Sequence, residues 1–283
     1  MKRIKTYKYR SSKLIFISLA LLSCLSALVW GYYHVGNTPP DPPPTVTQPN
    51  KTPTVPESQL IFDDEFSETS LDTKTWNIQD TSNGYHNCCL DYGVQYFTPQ
   101  ALSFQQGSLR ITTQAQNVNG YNYTSGAITT ENKFSFTYGR VEIRARLPKT
   151  DGLWTAFWLL PNDRSSRRDG VAAFEIDMAE MLGRDPKTVH MTNHQGHQYN
   201  TRPFTGPDFS QDYHVFSIIW TSKAITWYID GVERFESELG IPDLSMYLIL
   251  STNLGGDWAG DPDADTVLPQ YTDIDYVRVY QPQ

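Results

Sequence analysis

Apolar and polar residues alternate at a period of two over most of the chain after residue 58, and no helical period is sustained for about ten residues. From Gly139 to Leu147, Val141, Ile143, Ala145 and Leu147 fall on one face with charged side chains opposite, which predicts a half-buried strand. Gly107-Ser108 opens as a turn and Leu109–Thr113 continues as a strand, while a last strand is expected over Ile274–Tyr280. Ala224–Ile229, the pair Asp230-Gly231 and the returning Val232–Phe235 read as a β-hairpin. Short strands split by Gly, Asn and Asp turns, without βαβ alternation or an internal repeat, predict an all-β sandwich of two antiparallel sheets.

One stretch breaks the pattern. In Phe174–Gly183, Glu175 and Asp177 share a face while Ile176 and Met178 point to the core. Glu180 lies five residues from Glu175, so a regular strand would turn it into the core, where an unpaired carboxylate costs several kcal/mol. A single β-bulge between Asp177 and Glu180 returns it to the face of the other two. The two glutamates then stand four ladder positions apart, roughly 13 Å at ~3.3 Å per residue. Side chains leaning together over Asp177 could bring their carboxyls to about 5–5.5 Å, the separation used by retaining glycosidases. A solvated acidic face and a cation site use the same three groups, and spacing alone leaves all three readings open.

Ahead of the strands, Lys2, Arg3, Lys5, Lys8, Arg10 and Lys13 precede an uncharged apolar run, Leu14–Tyr33. That order is expected of an export signal or a membrane anchor, and Leu21-Leu22-Ser23-Cys24 also resembles a lipobox with Cys24 as the lipidated residue. Each version sends the rest of the chain out of the cytoplasm. The stretch 37–58, with Pro39-Pro40 and Pro42-Pro43-Pro44, cannot build a core and is expected to be a semi-rigid spacer. The expected organisation is therefore 1–36 for targeting, 37–58 as linker and 59–283 as the folded domain.

Without the six basic residues of the leader, 17 of the 23 Lys and Arg remain against 31 Asp and Glu. So acidic a domain disfavours nucleic acid and suits a neutral ligand. The three cysteines supply no disulfide framework: Cys24 lies in the leader, and adjacent Cys88-Cys89 suit an ordinary bridge poorly, which leaves a strained vicinal disulfide or two buried thiols.

Seventeen Tyr and seven Trp are many for this length, and several stretches place aromatics where a sugar-binding cleft would want them. Trp154 and Trp158 share a strand face with small Ala156 between them, suited to stacking on the CH face of a pyranose, although either could instead be core. His190, His194 and His197 lack a completing ligand for a metal site, and His194 is expected to contact sugar or a carboxylate.

The segment Glu175-Ile176-Asp177-Met178-Ala179-Glu180 does not stand alone. Tyr123–Gly126, Phe134–Arg140, Gly152–Trp158, Leu182–Pro186, Trp227–Gly231, Gly255–Trp258 and Asp275–Tyr280 accompany it in order. With them the chain resembles glycoside hydrolase family 16, and within it the laminarinase-like endo-β-1,3-glucanases with the Glu-x-Asp-x-x-Glu motif. The resemblance implies a concanavalin-like jelly roll with a cleft across the concave sheet. It implies an endo-acting, retaining hydrolase of β-1,3 or β-1,3/1,4 glucan, with Glu175 as nucleophile, Glu180 as general acid/base and Asp177 as their helper. Three carboxylates on one face cannot all ionise cheaply, which agrees with one of them keeping its proton. Carried over likewise are Trp154, Trp158, His194, Gln95, Trp258 and Asn253 as substrate contacts, and Glu65, Gly107 and Asp275 around a structural calcium. The resemblance implies no cofactor for the chemistry, a monomer and a polysaccharide partner.

One segment departs from the family pattern. Asp91-Tyr92-Gly93-Val94-Gln95-Tyr96-Phe97 stands where members often show Asn-x-Glu-x-Gln-x-Tyr, and the Gly255-Gly256 loop is short, which opens one end of the cleft. Other polymers therefore stay in view, among them agar-type galactan and wall polysaccharide with transglycosylation, as does a non-catalytic lectin.

Overall fold

The computed structural model of the 283-residue chain describes residues 58–83, 93–163, 167–168 and 171–282. The chain divides into two compact units, Met1–Gln48 and Pro49–Gln283, and all described residues belong to the second. The leader with Cys24, most of the Pro-rich stretch, Cys88-Cys89 and Asp91 lie outside the described residues.

The strands are β1 (Ser58–Asp64), β2 (Asn77–Ile78), β3 (Gln95–Phe97), β4 (Leu102–Gln105), β5 (Ser108–Val118) and β6 (Tyr121–Ser125). They continue with β7 (Ala127–Thr129), β8 (Gly139–Arg146), β9 (Leu153–Pro161), β10 (Arg167–Arg168), β11 (Val171–Ala172) and β12 (Phe174–Leu182). The chain closes with β13 (Thr188–Gln195), β14 (Gln198–Thr205), β15 (His214–Trp220), β16 (Ile225–Ile229), β17 (Val232–Ser237), β18 (Met246–Leu254) and β19 (Gln270–Pro282). A ten-stranded sheet runs β17-β16-β15-β8-β19-β5-β6-β3, with β1 on β19 and β4 on β5, and a seven-stranded sheet runs β14-β13-β12-β9-β18-β7-β2. One pairing departs from the all-antiparallel expectation: β3 lies parallel to β6, because the chain turns out at Pro99–Ala101 and makes the β4-β5 hairpin before β6.

The alternation of β8 is realised residue by residue, with Val141, Ile143 and Ala145 fully buried. Asp230 and Gly231 both take positive φ, 53° and 74°, as the tight turn between β16 and β17 requires. Ile143, Phe216 and Val277 from one sheet meet Phe157, Ile176, Met191 and Leu248 from the other in a continuous core. β18 is buried along its whole length, Met246–Leu254, because the far side of its sheet is covered too. There Ala156, Trp158, Leu160, Tyr247, Ile249, Ala127, Phe97 and Ala172 form a second apolar cluster. The polar part of that face begins at Asp177, the register partner of Trp158.

The outer face of the ten-stranded sheet is an ion-paired surface. Asp273 accepts from Arg110 Nε at 2.6 Å and Arg146 Nη2 at 2.6 Å, and Asp275 from Arg144 at 2.6 Å. Glu65 takes a bidentate pair from Arg278 at 2.7 and 2.9 Å. Tyrosines stack beneath these guanidinium groups: Tyr271 under Arg110, Tyr213 under Arg144, Tyr276 under Arg278 and Tyr280 under Arg140.

Candidate active site

The three clustered carboxylates stand on β12, and their register shows why they share a face. Asp177 pairs with Thr192 on β13 and Trp158 on β9, and Glu180 pairs with His190 and Ala156. Three residue steps on β12 thus oppose two on each neighbour. The extra residue is absorbed by Met178 and Ala179, both of which enter the core. Two small or flexible apolar side chains fill the inward side of the bulge, and Glu180 returns to the side of Glu175 and Asp177.

Glu180 is 9% exposed, and its Oε1 accepts a hydrogen bond from Trp154 Nε1 at 3.1 Å. Burial, and then the nearby charge of Asp177, push its carboxyl well above the ordinary value of 4.5, while the Trp154 bond works weakly the other way. Asp177 is buried as well, and its Oδ2 lies 3.1 Å from His194 Nε2. Donor atoms of Glu175, Asp177 and His194 lie within 4.8 Å of one another, the one such trio of His, Asp or Glu side chains among the described residues. The site therefore combines a carboxyl whose proton is held more tightly than usual and further carboxylate oxygens on one face, which is the equipment for general acid–base and nucleophilic work.

The carboxylates line an open cavity of about 420 Å³. Trp258 meets Trp154 edge-on at 5.2 Å and His190 at 5.1 Å, walling the Glu180 end. Arg184 fixes that wall by donating to the carbonyls of Trp258 and Ala259 at 2.8 and 2.5 Å. Burial lowers the pKa of His190, which keeps it neutral beside the acid. Tyr199, 62% exposed, leans on His194 at 5.7 Å, and Thr192 and Thr201, hydrogen-bonded at 2.9 Å, lie between.

Glu175, Asp177, Glu180, Trp154, His194 and Trp258 are thus brought together, and three expected contacts are not. Trp158 is 4% exposed, packed in the second apolar cluster with its indole N–H toward Ser251 Oγ at 3.4 Å. Gln95 is buried, its Oε1 accepting from the Leu254 N–H at 2.8 Å and its amide reaching Asn253 at 3.4 Å. Gln95 and Asn253 therefore brace the end of β18 and do not line the cavity. The same packing explains the departure at Gly93, whose φ is +147° and where a Cβ would lie 2.6 Å from the Leu254 carbonyl oxygen and against the Gln95 side chain. No glutamate fits there. His197 is exposed outside the cavity wall.

At the residues expected around calcium, Glu65 and Asp275 spend their carboxylates on Arg278 and Arg144. As arranged, these two side chains do not form an oxygen shell for a cation, which would have to displace both guanidinium groups. Tyr199, Thr192 and Thr201 were not anticipated. The signal for Tyr199 was the tight turn at Gly196, since β13-β14 pairing sets it directly opposite His194.

A family model described as Glycosyl hydrolases family 16 matches residues 92–278. The chain is 35% identical over 298 residues to Glucan endo-1,3-beta-glucosidase A1 of Niallia circulans, covering 89% of this chain and 43% of that protein. It is 34% identical to a Beta-glucanase of Rhodothermus marinus, covering 80% of this chain and 86% of that one. Among solved structures, the catalytic domain of an endo-1,3-beta-glucanase (laminarinase) from Thermotoga petrophila RKU-1 superposes with a TM-score of 0.74 at 34% identity, over 81% of this chain and all of that one.

Proposed function

This chain belongs to glycosyl hydrolase family 16 and is a glycoside hydrolase, and we propose that it cuts β-1,3-linked glucan internally, with net retention at the anomeric carbon. Glu175 attacks C1 of the bound sugar and forms a glycosyl ester, while Glu180 gives its proton to the departing glycosidic oxygen. The Glu180 carboxylate then takes a proton from water as that water attacks C1, which releases Glu175 and restores the acid. Asp177, bonded to His194, supplies the negative charge that holds the proton on Glu180 during the first step. Trp154 orients Glu180 through its N–H and, with Trp258, offers aromatic surface to a pyranose. No prosthetic group enters either step.

The observation that carries this reading is Glu180 itself, a buried carboxyl in an open cavity, held in its acid form beside two other carboxylates. The linkage is supported by the names of the relatives, and the acidic domain suits a neutral polymer. The basic and apolar leader supports action outside the cytoplasm, either secreted or tethered through residues 14–33 or Cys24. A second reading keeps the machinery and changes the polymer, because Gly93, packed against the Leu254 carbonyl and Gln95, removes the glutamate that family members often carry there.

Reducing-end release from laminarin, lichenan and agarose tests both. Laminarin is expected to be cut fastest, with lichenan second. Preference for agarose would transfer the activity to a galactan. Equal inertness of the wild type and Glu175→Gln on all three would end the hydrolase reading, and binding without turnover would make the protein a lectin.

A further inference from the structure

The bulge between Asp177 and Glu180 sets where the acid stands relative to Glu175, and its outer end is held from the opposite sheet. Trp227 on β16 is fully buried, and its indole Nε1 donates to the main-chain carbonyl of Asp177 at 2.8 Å. That carbonyl opens the segment where β12 loses register with both β13 and β9. We propose that Trp227 is a positioning residue for Glu180, fixing the Asp177–Met178 peptide so that the bulge falls at Met178-Ala179 and the acid returns to the cavity in line with Glu175.

A bulge is free to migrate along a strand unless something marks its place, because each ladder position offers equivalent N–H and C=O groups. In β12 loss of the bulge, or its migration past Ala179 to Glu180-Met181, would turn Glu180 to the core face. The apolar side chains do not prevent this, since Ile176, Met178, Ala179 and Met181 all tolerate burial. A single donor aimed at a single carbonyl does. Trp227 is itself immobile: its ring stacks on Phe235 at 4.8 Å, and its backbone pairs with Ile218 and Phe235. Its N–H therefore reaches through an apolar layer to a fixed point, and the buried carbonyl has a strong reason to stay there.

The proposal rests on Glu180 being the acid, and its test separates the two claims. Trp227 is replaced by benzothienylalanine, which keeps the ring shape and removes the N–H, and in parallel by phenylalanine. kcat and KM are measured on laminarin, and kcat/KM also on a 2,4-dinitrophenyl β-laminaribioside, whose leaving group departs without a proton. The expected result is a fall in kcat on laminarin of about 10–100-fold, the scale of an ångström-level misplacement, with KM within about twofold. kcat/KM on the activated substrate is expected to fall less than about threefold, since that substrate has little need of a placed acid. Glu180→Gln serves as the control and should show the same split. If the control shows it and both Trp227 variants keep full activity on laminarin, or lose it equally on both substrates, the positioning role is overturned. If the control itself shows no split, the assignment of the acid fails instead.

Discussion

Asp273 and Glu180 are both buried carboxylates on strands of one sandwich, 2% and 9% exposed, and their acidities are driven in opposite directions. Burial disfavours the charged form of each. At Asp273, hydrogen bonds from Arg110 and Arg146, with their charges, outweigh burial and hold the carboxyl below its ordinary 3.8. At Glu180, burial and the charge of Asp177 add together, and the hydrogen bond from the neutral Trp154 indole offsets little. The outer face of the ten-stranded sheet pairs its acids with arginine over tyrosine. The cavity face holds Glu180 with an indole and a second carboxylate. Acids that hold the fold are thereby separated from one kept reactive: both carboxylates are nearly closed to solvent, and they differ in how deeply they are enclosed and in the groups beside them.

Removing the reactive groups should have the largest effects. Glu175→Gln is expected to lose about four orders of magnitude in kcat on laminarin and on the activated dinitrophenyl substrate alike, because no leaving group substitutes for a nucleophile. Glu180→Gln is expected to lose about 10²–10⁴-fold in kcat on laminarin and far less in kcat/KM on the activated substrate, and to flatten the alkaline limb of the pH–rate profile. Glu175→Gln retaining more than a tenth of wild-type activity would separate the chemistry from β12.

Stability should divide the same two acids with opposite sign. Because Glu180 holds its proton above 4.5 when folded, the native state binds more protons than the unfolded chain from that pH up to the folded value. Stability is therefore lost as pH rises through that window, and stays lost above it. Glu180→Gln should melt higher than wild type at neutral pH and equal it below about pH 4. Asp273, depressed when folded, contributes stability that is present above 3.8 and disappears as pH falls through its folded value. Asp273→Asn should cost about 2–3 kcal/mol in urea unfolding at neutral pH, because it leaves two guanidinium groups without their carboxylate. Its effect on kcat should be the smallest of the set, within about twofold, since its side chain lies outside the cavity. Parallel melting shifts for the two variants would contradict the comparison.

Much of this was legible along the chain because period-two alternation reports directly on faces. β8, the Asp230-Gly231 hairpin and the bulge forced by Glu180 all follow from it. What alternation does not report is what lies over a face. Trp158 was correctly placed beside Trp154 on β9, yet Phe97, Ala172 and Tyr247 close over it from distant parts of the sequence. Gln95 and Asn253 looked like sugar contacts because amides suit hydroxyls, but their partners are each other and the Leu254 N–H. The tyrosine count likewise says nothing of placement: Tyr213, Tyr271, Tyr276 and Tyr280 stack under arginines on the other sheet. Trp227 reads in sequence as an ordinary core residue of a hairpin, and only the direction of its N–H reveals its partner on β12.

The most direct measurement is a ¹³C NMR titration of side-chain carboxyls, with Glu180 and Asp273 assigned through Glu180→Gln and Asp273→Asn. Glu180 should titrate well above 4.5 and Asp273 below 3.8 in the same sample, with Glu180 moving down when Asp177 is replaced by Asn. A Glu180 that titrates at or below 4.5 would contradict the account, because the cavity would then hold no carboxyl able to release the leaving sugar.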